Sequence, residues 1–327
     1  MRFPATLLER DLTMTVGERE IDGPTGDAVL VKVEWAGLCG SDLHVLRSGV
    51  WVEEWPATLG HEVFGEVVEA GPDAAFAAGD RVVLDSRVPC LDCEQCEKDP
   101  DFCPNITFLG ESRPGGFATH VLVPSRSAHA VPDGVQGEDA VLAEPLAVAF
   151  HALGHLDAEP TRALVLGHGP IGALIHIELR RRFPDATVAV AEPNPRRAAL
   201  AAALGATVHG SGADTGPERY DLVVEAAGYP NALGHAVAAA GERATVLAVA
   251  ISEAESQIRP LDLVEGRIRL IGVNAFLTEL PEAIAAIARE PWRYRPVVTR
   301  AVSLAEFPPA VAAELREPQA IKLLVRP

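Results

Sequence analysis

The chain has 327 residues, of which 48% are hydrophobic, and this length suits two domains that each bury a sizeable core. Its formal net charge of −18 disfavours binding to nucleic acid or to anionic lipid, because like charges repel. The chain has no apolar run of about 18 residues and no secretory signal at its start, so we expect a cytoplasmic protein.

The first part of the chain contains short segments rich in Val and Leu between turn residues, a pattern typical of β-strands. These segments are residues 27–38, 61–71, 80–86 and 117–124. We therefore predict a mostly-β first domain.

Four candidate metal ligands are spread along this part: Cys39 in GLCGSDLH, His61 and Glu62 in GHE, and Glu144 in AEPL. Singly, each has an ordinary interpretation, such as a small buried side chain for Cys39 or a helix cap for Glu144. One thiolate, one imidazole and carboxylates, with one exchangeable position, are together typical of a catalytic zinc site.

A second group of cysteines, Cys90, Cys93, Cys96 and Cys103, is separated by two, two and six residues. Four thiolates suit a closed, tetrahedral, structural zinc site. The residues between them are mostly polar, so the metal would supply the folding energy of this lobe. An iron–sulfur cluster or a pair of disulfides are the alternatives.

From residue 145 onwards, strands and helices alternate, which predicts an α/β domain with a parallel sheet covered on both faces. The predicted helices are 145–156, 170–183, 194–206, 231–240 and 281–290. The predicted strands are 162–167, 187–192, 220–228, 243–250 and 267–276. The end of the chain loses this alternation and is expected to return to the first domain.

A G-x-G-x-x-G motif follows the first of these strands and opens a helix, the context that a dinucleotide site requires. Its candidate cofactor-binding residues are Gly167, Gly169, Pro170, Ile171 and Gly172. The glycines permit a tight turn, close approach of a pyrophosphate and close packing of helix on strand, and the helix N-terminus favours the phosphates. An ordinary strand-to-helix turn is the alternative.

Glu192 ends the next strand, 20 residues after Gly172. A carboxylate there can accept hydrogen bonds from ribose hydroxyls and would repel a 2′-phosphate, so NAD is favoured over NADP. Arg196 and Arg197 follow closely, and their charge would instead favour NADP unless they only line the helix surface.

In this order, GLCGSDLH, GHEVFGEVVEAG, GDRVV, the four cysteines, GGFATHVLVP, EPLAV and GHGPIG resemble the zinc-containing medium-chain dehydrogenase/reductase superfamily over nearly the whole chain. Glu144, in place of a second cysteine ligand, resembles the branch with sorbitol, threonine, butanediol and aminocyclitol dehydrogenases. The resemblance implies a GroES-like catalytic domain over 1–147, completed by 290–327, and a Rossmann domain over 148–289. It also implies a homodimer or homotetramer.

The implied activity is hydride transfer between NAD and a secondary alcohol of a small polyol, cyclitol or diol, with two zinc ions per chain. Cys39 and His61 match zinc ligands of the family, and Glu62 and Glu144 match acids that ligate directly or through water. Asp42 matches an acid that orients the ligating histidine.

The resemblance implies a proton relay, in which Ser41 lies next to the substrate oxygen and His44 passes the proton to solvent. Ile171, Glu192 and Arg197 match positions that contact the cofactor.

Trp51, Asn274 and Phe276 are candidate substrate-pocket residues. Sorbitol dehydrogenases carry an Arg-Tyr pair where this chain has Asn274 and Ala275, which argues against sorbitol itself and for a specialised substrate such as an aminocyclitol. Two alternatives stay open: an NAD- and zinc-dependent epimerase or lyase that uses transient oxidation, and a non-enzymatic protein that binds NAD and zinc.

Overall fold

The computed structural model describes residues 1–327 and divides them into two compact units. The first unit comprises Met1–Glu144 and Leu280–Pro327, and the second comprises Pro145–Glu279. None of the helices combines the length and hydropathy that a bilayer crossing requires.

The strands follow one another along the chain as β1 Arg2–Leu8, β2 Met14–Glu20, β3 Ala28–Gly37, β4 Glu62–Ala70, β5 Arg81–Leu84, β6 Arg87–Val88, β7 Thr107–Phe108, β8 His120–Pro124, β9 Ala128–Ala130, β10 Arg162–Leu166, β11 Thr187–Ala191, β12 Thr207–His209, β13 Tyr220–Glu225, β14 Ala240–Ala248, β15 Arg269–Gly272, β16 Val298–Ser303 and β17 Lys322–Arg326. The α-helices are α1 Gly40–Ser48, α2 Glu94–Lys98, α3 Gly137–Ala140, α4 Ala143–Gly154, α5 Pro170–Arg182, α6 Pro195–Ala203, α7 Ala232–Ala239, α8 Pro260–Gly266, α9 Leu280–Arg289, α10 Pro291–Tyr294 and α11 Phe307–Arg316.

The first unit is built on a seven-stranded sheet in the order β16-β17-β3-β4-β5-β9, with β8 added to β3. Alternate side chains of β3, such as Val29, Val31 and Val33, enter its core. Antiparallel pairing brings Gly37, at the end of β3, opposite Glu62 of β4 and Leu324 of β17. The ends of three strands that are distant in sequence therefore meet at one point of the sheet.

The second unit holds six parallel strands in the order β12-β11-β10-β13-β14-β15. Its central strand β10 is buried through Ala163–Leu166, as expected for a strand covered on both faces. The order reverses beside β10, where the glycine motif follows. The predicted α/β fold, with a mostly-β unit and a doubly wound parallel sheet, is confirmed.

Two helices differ from the sequence expectation. Helix α1 lies where only the GLCGSDLH motif was noted, and it begins after Cys39 as N-cap. Helix α9, expected in the dinucleotide domain, belongs to the first unit, where its buried face packs near α3. Its spacing of apolar residues predicts a buried face without specifying the partner, so the unit boundaries fall at 144 and 280 instead of 147 and 290.

Candidate metal centres and dinucleotide site

The Sγ atoms of the four cysteines lie close together, as the four corners of a metal site would. The Sγ–Sγ distances are 3.4 Å for Cys90 and Cys103, 3.5 Å for Cys93 and Cys96, 3.8 Å for Cys90 and Cys96, and 4.0 Å for Cys93 and Cys103. A tetrahedral zinc site with Zn–S bonds of about 2.3 Å has Sγ–Sγ edges of about 3.8 Å. The donor set therefore fits zinc.

All four thiols are free, and their separations far exceed the roughly 2.05 Å of an S–S bond, so the lobe contains no disulfide. Burial, followed by hydrogen bonding with the neighbouring thiols, raises the pKa of Cys96 to about 12. Several adjacent thiolates need a compensating cation, which a bound divalent metal supplies.

The second candidate centre is assembled from two segments of the chain. Cys39 caps α1, His61 precedes β4 and Glu62 begins β4, and their ligand atoms all lie within 4.8 Å of one another. One thiolate, one imidazole and one carboxylate suit a zinc ion that keeps an exchangeable position. The structure thus brings together three of the four residues predicted for this site.

Asp42 holds this centre in place through α1. Its carboxylate accepts hydrogen bonds from the backbone N–H of Cys39 (2.9 Å) and of Gly60 (3.2 Å). Its Oδ1 lies 3.6 Å from Nδ1 of His61, which leaves Nε2 as the ligand atom. Burial lowers the pKa of His61, but Asp42 and then Cys39 outweigh it and hold the pKa well above its ordinary range.

Glu62 is completely buried and forms an ion pair with Lys322, which is also completely buried. Nζ of Lys322 donates to the two carboxylate oxygens at 2.5 and 2.7 Å and to the carbonyl of Leu38 at 3.1 Å. A Cβ on Gly37 would overlap the Glu62 carboxylate, so the pair requires glycine there. The sequence analysis missed Lys322, although a lysine within the apolar segment IKLLV was a usable signal.

Glu144 lies in the first turn of α4, outside the close group of Cys39, His61 and Glu62. Its Oε1 accepts a hydrogen bond from Oγ of Ser86 at 3.4 Å. Burial, more than any nearby charge, raises the pKa of Glu144 to about 7. Glu144 therefore exchanges a proton readily near neutral pH, and its role as a ligand stays a prediction.

Two further predicted residues, Ser41 and His44, lie on α1, and a third, Trp51, follows it. Oγ of Ser41 lies 3.5 Å from Nε2 of His61. The ring of His44 lies 5.0 Å from that of Trp51, which is 41% exposed. Ser41 is thus next to the candidate metal ligands, whereas His44, on the same helix, and Trp51, after it, are more exposed.

In the second unit, the glycine motif has the expected conformation. Gly167 has φ of +85°, and a Cβ there would overlap Ala226 and Ala227. A Cβ on Gly172 would overlap the carbonyl of Gly167, so close packing of the α5 start on β10 requires both glycines. Pro170 occupies the first position of α5, and Ile171 follows it.

Glu192 directly follows β11 and accepts hydrogen bonds from the glycine loop and from Asn194. Its Oε2 accepts from the N–H of His168 at 2.7 Å, and its Oε1 accepts from the N–H of Asn194 at 2.8 Å. Asn194 caps α6, which carries Arg197, and a Cβ built on Gly169 would lie 3.7 Å from Nη1 of Arg197. A carboxylate and a guanidinium thus both reach the glycine loop.

The sequence analysis missed a buried histidine pair formed by His168 of this loop and His176 of α5. Nε2 of His168 lies 3.1 Å from Nδ1 of His176, and both side chains are completely buried. Burial lowers the pKa of His168 to about 4 and that of His176 to about 3, so both rings are neutral at pH 7. Asn274, an exposed residue, and Phe276, completely buried, also belong to the second unit; their contact with substrate stays a prediction.

Comparison with known proteins agrees with these features. Residues 25–133 match the alcohol dehydrogenase GroES-like domain, and residues 137–326 match the glucose dehydrogenase C-terminus. D-altritol 5-dehydrogenase of Agrobacterium fabrum is 30% identical over 92% of this chain and 93% of its own length.

Two solved structures extend the comparison. An alcohol dehydrogenase (rspB) of Escherichia coli, complexed with NADH, has a TM-score of 0.90 and 27% identity over 99% of both chains. A putative zinc-binding dehydrogenase of Sinorhizobium meliloti 1021, bound to NADP, has a TM-score of 0.88 and 30% identity over the full length of both chains. Relatives of this fold thus bind either nicotinamide cofactor.

Proposed function

Because the chain belongs to the zinc-containing medium-chain dehydrogenase/reductase superfamily, within its polyol dehydrogenase-type oxidoreductases, we propose that it transfers a hydride between NAD and a secondary alcohol of a small polyol, cyclitol or diol. The observation that carries this proposal is the convergence of Cys39, His61 and Glu62 within 4.8 Å. A structural zinc site alone would not need this second donor set.

In the proposed mechanism, Cys39, His61 and Glu62 would hold the catalytic zinc, and the four-cysteine lobe would hold a second, structural ion. Bound zinc lowers the pKa of an alcohol ligand, as it lowers that of bound water from 15.7 to about 7. Asp42 fixes the imidazole through Nδ1, so that Nε2 would be the atom that binds zinc. Glu144, with its pKa of about 7, is available as an alternative ligand or proton acceptor.

The chain's own residues handle the proton. Ser41, whose Oγ lies 3.5 Å from Nε2 of His61, accepts the proton of the substrate hydroxyl. His44, half-buried beside Trp51, passes it to solvent. Bound NAD supplies the hydride acceptor, so this step needs alignment of the substrate and no protein base.

NAD is proposed over NADP because the Glu192 carboxylate would repel a 2′-phosphate. Arg197, whose guanidinium approaches Gly169, is proposed to contact the pyrophosphate. The glycine loop itself, from Gly167 to Gly172, is proposed to bind the pyrophosphate through backbone N–H groups. A homodimer or homotetramer stays a prediction.

The direct test mixes the zinc-loaded protein with NAD and a panel of vicinal diols, inositols and aminocyclitols, and measures the absorbance of reduced nicotinamide. We expect turnover of at least one class and about two zinc ions per chain by metal analysis. Cys39→Ala should remove one zinc ion and lower the rate by about 10³-fold or more, because the remaining donors hold the ion poorly. No turnover across the panel with two zinc ions bound, or full activity of Cys39→Ala, would overturn the proposal.

A further inference from the structure

Glu111 lies on a tight turn that is seated against the candidate catalytic centre. A Cβ on Gly110 would lie 2.8 Å from the backbone nitrogen of Gly60, and one on Gly115 would lie 2.3 Å from its carbonyl oxygen. The turn is closed by a hydrogen bond from Gly110 N–H to the Arg113 carbonyl at 2.8 Å. Because Gly60 directly precedes His61, this packing holds the turn that carries Glu111 against the segment that carries His61 and Glu62.

The Glu111 carboxylate has no hydrogen bond or ion pair of its own in the structure, although it is half-buried. It lines a small hollow with Thr58, Ser112 and Arg113. Burial raises the pKa of Glu111, Asp42 raises it further, and His61 opposes them, so its charge acts on both of these residues of the centre. The carboxylate is therefore an acceptor that no protein donor occupies and that a ligand can use.

The charges around the centre restrict which ligand can use this acceptor. Lys322 is already paired with Glu62, and Asp42 lies beside His61, so the nearby carboxylates Asp42 and Glu62 share the sign of Glu111. Arg113 lines the same hollow but forms no ion pair with Glu111. The Glu111 carboxylate would itself repel a carboxylate or phosphate on the substrate, whereas it would attract a hydrogen-bond donor.

We propose that Glu111 is a specificity residue that accepts a hydrogen bond from a hydroxyl or ammonium group close to the reacting carbinol carbon and disfavours anionic substrates. This inference rests on the proposed function and narrows its substrate class to neutral or cationic vicinal diols and amino alcohols. It needs no additional cofactor.

The test compares the wild-type protein with Glu111→Gln on four secondary alcohols: 2-butanol, 2,3-butanediol, 3-amino-2-butanol and 3-hydroxybutyrate. Loss of a charge-assisted hydrogen bond should lower kcat/KM by about 10- to 100-fold for the substrate whose donor Glu111 binds, mainly through KM. The value for 2-butanol should change less than about twofold, and that for 3-hydroxybutyrate should rise, because Gln carries no charge. The larger loss, on the diol or on the amino alcohol, identifies hydroxyl or ammonium as the recognised group.

Glu54→Gln is the matched control, since Glu54 lines the same hollow but is 79% exposed and faces Arg19 at 3.9 Å. It should leave all four values within about twofold. Calorimetric binding of the amino alcohol without NAD gives a readout that does not need turnover. Equal changes on all four substrates, or none, would overturn the role of Glu111. Absence of wild-type turnover on every alcohol would instead refute the proposed function.

Discussion

The two units bury titratable side chains in opposite ways. In the first unit, Glu62 and Lys322 are completely buried as a charged pair, although 260 residues separate them. In the second unit, His168 and His176 are completely buried only eight residues apart, with pKa values lowered to about 4 and about 3. A buried charge needs a partner that the fold must bring to it, whereas a buried imidazole can stay neutral.

This difference follows from what each unit has to hold. The centre around Cys39 and His61 is proposed to bind a dication, so it includes negative ligands, and Lys322 balances the charge of one of them, Glu62, when no metal is bound. The glycine loop is proposed to bind phosphates through backbone N–H groups, so a neutral support beneath it suffices. We therefore expect the stability of the first unit to depend on its buried ion pair. We expect the stability of the second unit to depend on pH, through its buried histidines.

The largest expected effect is that of Lys322→Met. The variant leaves the buried Glu62 carboxylate without its partner, which should lower the free energy of unfolding of the first unit by about 3–5 kcal/mol. Chemical denaturation followed by circular dichroism measures the loss. Glu62→Gln combined with Lys322→Met should recover most of it, since no charge is then left unpaired.

Lys98→Met is the control, because Lys98 is 65% exposed and pairs with Glu94 on the surface of α2. Its loss should stay below about 0.5 kcal/mol. If Lys322→Met and Lys98→Met lower the free energy of unfolding by the same amount, the buried pair does not stabilise the first unit.

The parts of the molecule that could be predicted from sequence are those whose determinants are close along the chain. The spacing of Cys90 to Cys103 predicts the compact sulfur cluster, and the glycines after β10 predict the loop that the structure shows. Alternating segments likewise predict the parallel sheet, because each strand and helix carries its own pattern.

The parts that could not be predicted depend on contacts between distant segments. Lys322 stands out in the sequence only as a lysine within an apolar segment, and its pairing with Glu62 arises only when β17 pairs with β3. Helix α9 has a clear apolar face, but periodicity does not say which unit covers it. Glu111 shows no motif, since its position depends on how its turn packs on Gly60.

A smaller effect is expected from pH in the second unit. The folded pKa values of His168 and His176 lie below the unfolded value of about 6.5, so their stabilisation is complete above pH 6.5 and is lost as pH falls toward 4 and 3. At pH 5 each histidine should lower the free energy of unfolding by about 2 kcal/mol relative to pH 8. His176→Gln keeps a hydrogen-bonding side chain but cannot titrate. The variant should therefore halve the loss of unfolding free energy that this pair causes between pH 8 and pH 5.

Thermal unfolding from pH 8 to pH 5 measures this effect. His235→Gln is the control, since His235 is only half-buried and hydrogen-bonds to Tyr229 at 2.9 Å. Identical pH dependence in wild type and His176→Gln would show that the buried pair does not resist protonation.

The smallest expected effect is on zinc affinity. It tests whether the catalytic centre needs the negative charge of Asp42, which is not part of the Glu62–Lys322 pair. Asp42→Asn keeps the size of the side chain that binds Cys39 and faces His61, but removes its charge. The catalytic zinc should be held about 10- to 100-fold more weakly, because the carboxylate orients the imidazole and makes it more basic. The structural zinc of the four-cysteine lobe should be unaffected.

Titration with a competing chelator separates the two ions. Asp27→Asn, which changes an exposed ion pair with Arg126, is the control. If Asp42→Asn releases both ions at the same chelator concentration, or neither, then Asp42 does not act through His61, and the first unit's dependence on charge reduces to the Glu62–Lys322 pair.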